Sequence, residues 1–179
     1  MVKKIYAGIG IDNITKEEYS ILKKIACGWA KLGWTLSTTG TTQAERAFIE
    51  GAIDGGGRII ICLPWYPYRG DFIESIQSHL NIEIRILDPD TDIDAMECPD
   101  RYLPPFIISK LTHEDKLFYS TYYLVVKNAE FVLAWPSLKD ERIPNVMSIA
   151  DMMWIPVYNL TDKWKFRKIM KDLKRSKVI

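Results

Sequence analysis

The chain has 179 residues, of which 47% are hydrophobic and 26% charged, with a formal net charge of +1; these are the proportions of a globular protein, not of a disordered or fibrous one. Its apolar runs, such as Ile59 to Leu63 and Phe131 to Trp135, are too short to span a bilayer, and Met1 to Lys4 lead directly into a strand-like run where a signal segment would be charged and then apolar. Three cysteines without a C-x-x-C pair (Cys27, Cys62, Cys98) and two distant histidines (His79, His113) give no disulfide framework and no metal-ligand spacing, so reduced thiols, a cytoplasmic location and no cofactor are expected.

Lys3 to Ile9, closed by Gly8 and Gly10, reads as a buried first strand. Thr15 and Glu18 form a capping box for a helix over 15–33, in which Leu22, Ile25, Ala26 and Trp29 recur at helical spacing before Gly33. A short strand, Trp34 to Ser37, then runs through a Thr/Gly turn into a helix over 42–54. Ala44, Ala47, Phe48, Gly51 and Ala52 give that helix a narrow face for close packing, and Gly55 to Gly57 stop it. Arg58 to Leu63 is a nearly continuous β-branched run, typical of a central parallel strand, and it ends in the aromatic loop Pro64 to Tyr68.

Residues 71–112 are the least regular part, with a helix suggested over Phe72 to Leu80 and a strand over Ile82 to Leu87. Asp88 to Pro105, dense in proline and acid, reads as a loop or insertion over the sheet. Order returns at Thr112 with a helix that places Leu117, Phe118, Thr121, Tyr122 and Val125 on one face. A strand (Glu130 to Trp135), a helix (Pro144 to Met153) and a strand (Ile155 to Asn159) follow. A last helix from Thr161 buries Phe166, Ile169, Met170 and Leu173. The alternation predicts a single α/β domain over 1–179, a Rossmann-like three-layer sandwich with a mostly parallel central sheet.

In such sheets ligands bind beyond the carboxyl ends of the strands. The loops there hold Gly8 and Gly10, Thr38 to Thr42, Trp65, Trp135 and Ser137. Gly40 permits close backbone approach, while Thr38, Thr39, Thr41 and Thr42 offer donors to a phosphate at a helix N-terminus. Thr42 to Glu45 also reads as a simple capping box, and the two readings are compatible. Trp65 and Trp135 are placed either to stack on a base or to cap the sheet. Ser137 lacks a companion histidine and a G-x-S-x-G elbow, which argues against triad hydrolysis. Residues 162–179 carry eight Lys/Arg against two Asp, a net of +6 that leaves −5 for the rest. That basic helix over 161–177 is either a solvated face or a phosphate-backbone contact.

Five segments together resemble the SLOG superfamily, which joins DNA-processing-A proteins to the "lonely guy" phosphoribohydrolases. They are Tyr6-Ala7-Gly8-Ile9-Gly10, Thr35 to Ala52, Leu63-Pro64-Trp65, Val132 to Trp135 and Ile155 to Leu160. The likeness is strongest to small phage and bacterial members described as nucleotide-binding. It departs from the pattern at Ile11-Asp12, where the family has Ser-Arg, and at Glu141-Arg142-Ile143-Pro144, where the family has a glycine-rich phosphate turn. The resemblance implies binding of a nucleotide or another phosphate-bearing small molecule. It also implies two alternatives. One is cleavage of a nucleoside monophosphate's N-glycosidic bond, with Glu45 as the one candidate acid. The other is single-stranded DNA binding of DNA-processing-A type through the basic C-terminal helix. Members often form homodimers.

Overall fold

The computed structural model describes residues 4–66, 68, 70–137 and 139–179. Lys3 and Pro67, assigned above to the first strand and the aromatic loop, lie outside the described residues. Strand β1 (Ile5–Gly10) leads through α1 (Lys16–Lys31) to β2 (Thr35–Thr38), and α2 (Gln43–Asp54) leads to β3 (Ile59–Leu63). Helix α3 (Gly70–Ile76) and β4 (Ile82–Ile86) complete the first half. Three short helices follow, α4 (Ile93–Met96), α5 (Cys98–Tyr102) and α6 (Pro105–Ile108), before α7 (His113–Val126). The chain closes with β5 (Phe131–Trp135), α8 (Arg142–Met152), β6 (Val157–Asn159) and α9 (Lys163–Arg175).

The six strands form one sheet in the order β4-β3-β2-β1-β5-β6, and every pairing in it is parallel. Parallel pairing at each step requires a crossover, and the helices supply it while covering both faces. Successive strand residues point to opposite sides, and the core divides accordingly. Tyr6, Leu36, Ile59, Ile61 and Leu133 pack beneath α1, α2 and α9. Ala7, Ile9, Cys62, Val132 and Ala134 pack beneath α7 and α8. This is the three-layer α/β architecture expected from the sequence.

The structure adds order where a loop was expected. Asp88 to Pro105 contains α4 and α5 and opens α6, because Pro99 and Pro105 occupy first-turn positions where a missing N–H costs nothing. Asp92 anchors the stretch, accepting from Arg85 of β4 at 2.5 Å and from its own neighbour Asp88 N at 3.1 Å. Among the described residues, no helix is long and apolar enough to cross a membrane.

Of the capping boxes read from the sequence, that of Thr15 forms and that of Thr42 forms by half, because the Glu45 carboxylate turns to Thr39, Thr41 and Tyr122; a further box forms at Thr112. Thr15 accepts from Glu18 N and Thr112 from Asp115 N, with each acid returning to the cap amide. At the far end α9 buries Ile169 and Leu173, while Phe166 and Met170 are only partly covered. Strand β6 forms one edge of the sheet. Its outward carbonyl, Val157 O, accepts from Lys165 Nζ at 3.1 Å.

Candidate functional site

Strand order reverses between β1 and β5. The chain leaves β1 toward β2 on one side and returns much later, through α7, to the other side. The loops beyond the two strands therefore diverge, and a crevice forms between them. It is a cleft of about 540 Å³. One wall is Gly10 to Asn13 with Thr41 and Thr42; the other is Ser137, Lys139, Asp140 and the start of α8. Tyr68, Phe118 and Tyr122 close the end. Asn13 turns the first wall with a positive φ of 59°, a conformation asparagine tolerates better than most residues.

The Thr/Gly turn is stitched to β1 by its hydroxyls. Thr38 Oγ1 donates to Gly8 O at 2.7 Å, and Thr42 Oγ1 donates to Gly10 O at 3.0 Å. A Cβ on Gly10 would stand 2.6 Å from Ala44 Cβ, so the missing side chain lets α2 begin directly against the end of β1. Gly40 holds a positive φ of 71°, and its Cα faces Ile49 and Ile73 in the core, away from the cleft. The first amides of α2 are already engaged. Gln43 N donates to Asp12 Oδ1 at 3.0 Å, Ala44 N to Ile11 O at 3.2 Å and Glu45 N to Thr42 Oγ1 at 3.3 Å. Thr42 thus caps the helix, and the donors offered on paper to a phosphate are satisfied within the protein.

Glu45 is fully buried. Its carboxylate accepts from Thr39 Oγ1, from Thr41 N at 3.0 Å and from the Tyr122 hydroxyl. Burial pushes its carboxyl above the usual range, while Thr39, Tyr122 and the Thr41 and Thr42 amides pull it back. Tyr122 is pushed far up as well, by burial and by the neighbouring Glu45 charge. Glycosidic chemistry would need this carboxylate to meet a sugar, and Thr41 and Tyr122, which line the cleft, stand between.

The remaining candidates divide. Gly10, Thr41, Thr42 and Ser137 line the cleft. Thr39 and Trp65 line a smaller hollow beside it. Gly8 and Thr38 lie beneath, and Trp135 is half-buried against the core beside Gly10.

The cations of the site were not singled out from the sequence. Arg142 opens α8, giving two hydrogen bonds to Asp140, Nε at 3.1 Å and Nη2 at 2.9 Å, with its guanidinium 5.3 Å above the Phe118 ring. The pair is mutually reinforcing: Arg142 holds the Asp140 carboxyl below its usual range, and Asp140 raises Arg142. Lys139 stands beside them on the rim. Where the resembling family carries a glycine-rich turn, this chain offers a side-chain cation. The signal in the sequence is an arginine at a helix start after a strand end, a pattern too common to mark a site by itself. Among the described residues, no cluster of three or more His, Cys, Asp or Glu could hold a metal.

No protein-family model and no curated protein matches the sequence. Solved structures do match the fold. DNA processing protein A from Helicobacter pylori, described for its single-stranded DNA binding mode, superposes with a TM-score of 0.64 at 16% identity, covering 97% of this chain and 82% of its own. The molybdenum cofactor carrier protein of Chlamydomonas reinhardtii gives 0.56 at 14%, over 87% and 74%. TM1055 gives 0.58 at 14%, over 92% and 79%. At these identities the likeness establishes the Rossmann-like α/β fold alone.

Proposed function

We propose that the protein binds a nucleotide or nucleotide-derived small molecule in the cleft between the β1 and β5 loops. One observation carries this reading. A cleft of about 540 Å³ lies at the point where strand order reverses, with Arg142 on one wall beside an aromatic end. Arg142 spends Nε and Nη2 on Asp140 and keeps Nη1 for a phosphate, a planar cation held in place before any ligand arrives. Tyr68, at the aromatic end of the cleft, offers a ring to a base.

Thermal melting of the chain with millimolar mono-, di- and cyclic nucleotides tests the reading, because a ligand of the native state raises the midpoint. At least one nucleotide is expected to shift it, and no shift with any would sink the proposal. Arg142→Ala is expected to weaken that ligand about ten- to hundredfold, the worth of one charge-assisted contact of roughly 1.5–3 kcal/mol. Titration calorimetry measures it directly.

A second reading rests on α9. Its cations, Lys163, Arg167, Lys171, Lys174 and Arg175 among them, form no ion pair among the described residues, and Trp164 is 69% exposed beside them. Single-stranded nucleic acid suits such a face. Oligothymidine affinity is then expected to fall steeply and linearly with the logarithm of salt concentration, and a flat dependence excludes it.

A further inference from the structure

Strand β4 is the sheet's other edge, and it pairs with β3 alone. The odd-numbered positions of this segment face inward: Asn81 O accepts from Ile59 N at 2.9 Å, and Leu87 N donates to Leu63 O at 2.8 Å. Peptide groups along a strand alternate sides, so those of Ile82, Ile84 and Ile86 face the open edge. His79 O takes the Ile82 amide at 3.2 Å. Among the described residues, the Ile84 and Ile86 amides have no acceptor. No proline or bulge, of the kind that blunts many edges, interrupts the strand, and its register with β3 runs unbroken from Ile82 to Ile86.

What β4 carries instead is charge arranged symmetrically. In Ile82-Glu83-Ile84-Arg85-Ile86 an acid and a base stand equally spaced about Ile84. A second copy laid antiparallel through Ile84 sets Glu83 opposite Arg85 twice, Ile84 opposite Ile84, and Ile82 opposite Ile86. Ile84 is then the hydrogen-bonded pair. The charges fall on the adjacent non-hydrogen-bonded sites, where Cα atoms come closest, about 4.5 Å. Moving the centre to Glu83 or Arg85 sets like charge on like, and so does a parallel copy in register. Charge therefore selects both the direction and the register of the partner. The Glu83 and Arg85 side chains are 56% and 36% exposed even with Arg58 and Asp92 beside them, so both remain within reach. On the opposite face Ile86 is 47% exposed, and Ile82 and Ile84 are only partly covered. Pairing extends their cover.

We infer that β4 is a dimerisation strand, joining two copies of this chain antiparallel about a two-fold axis at Ile84. Such an interface is isologous and closes on itself, and the two sheets become one. Strand directions reverse across the axis, so the two β1/β5 clefts open at opposite ends of the pair. Dimerisation here is independent of what the cleft binds.

Sedimentation of the full chain over a range of concentrations tests it, and a reversible monomer–dimer equilibrium is expected. Glu83→Arg sets like charges at both pairs and is expected to weaken the dimer about tenfold or more; Arg85→Glu does the same with the opposite sign. An equimolar mixture of the two variants restores both pairs, so a heterodimer is expected that neither variant forms with itself. Arg85 also holds Asp92 at 2.5 Å, so a second measurement uses the unaltered chain. Amide exchange at Ile84 and Ile86 is expected to slow as concentration rises, while that of Glu83 and Arg85, turned toward β3, does not change. A chain still monomeric at about 1 mM overturns the inference. So does a dimer whose Ile84 and Ile86 amides exchange at a rate independent of concentration, a dimer that Glu83→Arg leaves intact, or a mixture of the two folded variants that stays monomeric.

Discussion

Replacing Glu45 by alanine is expected to destabilise the protein by about 3–5 kcal/mol, the cost of leaving a buried polar cluster without its acceptor. The Tyr122 and Thr39 hydroxyls and the Thr41 amide all converge on this carboxylate. All three residues are buried. Urea unfolding measures the loss, and a change under 1 kcal/mol would mean that the cluster re-pairs. Glu45→Gln should cost less, about 1–3 kcal/mol, because one acceptor oxygen survives. The pH dependence has a definite sign. Burial raises the folded carboxyl above its ordinary value of 4.5, so the contribution of Glu45 is fully present below that value and is lost as pH rises through the folded one. The stability gap between the parent and Glu45→Gln is therefore expected to narrow as pH climbs from about 4.

Gly51→Ala is the other large effect, and it acts by crowding. Helices α1 and α2 cross at this residue, where an added Cβ would fall 2.1 Å from Lys23 O and 2.8 Å from Lys23 C. Both are backbone atoms, so no rotamer relieves the clash and the helices must move apart. Overpacking of this kind costs about 3 kcal/mol or more, which for a chain of this length lowers the melting point by roughly 6–12 °C. The same movement would stretch the pairs that Lys23 Nζ makes with Glu50 and Asp54, both 3.2 Å. Differential scanning calorimetry would show the drop. A melting point within a degree of the parent would mean that the two helices do not approach this closely.

The fold was legible because periodicity reports burial. Ile59 to Leu63 reads as a two-sided strand since both its faces are covered, and Thr15 and Thr112 announce their helices through local chemistry that tertiary structure does not overrule. The site was legible only in part. The Thr/Gly turn marked the place, but its composition does not say which way its donors point, and they point at Glu45 and β1. Arg142 and Phe118 are 24 positions apart, and no local pattern says that a guanidinium will settle over that ring. The short helices over 93–108 were hidden by prolines, which mark breaks in a sequence and helix starts in a structure.

The ammonium of Lys165 at the rim of β6 has a consequence beyond the strand it touches. An open parallel sheet invites growth, because its last strand presents unpaired carbonyls to any extended peptide that drifts near. Here the outward carbonyl of Val157 is already answered, and an incoming strand would have to evict a cation to claim it. With only three residues in β6 to grip, sheet growth on that side is both short of footing and electrostatically guarded. The molecule can therefore keep its cleft open to solvent at one end of the sheet without offering this edge as a ready template for another strand.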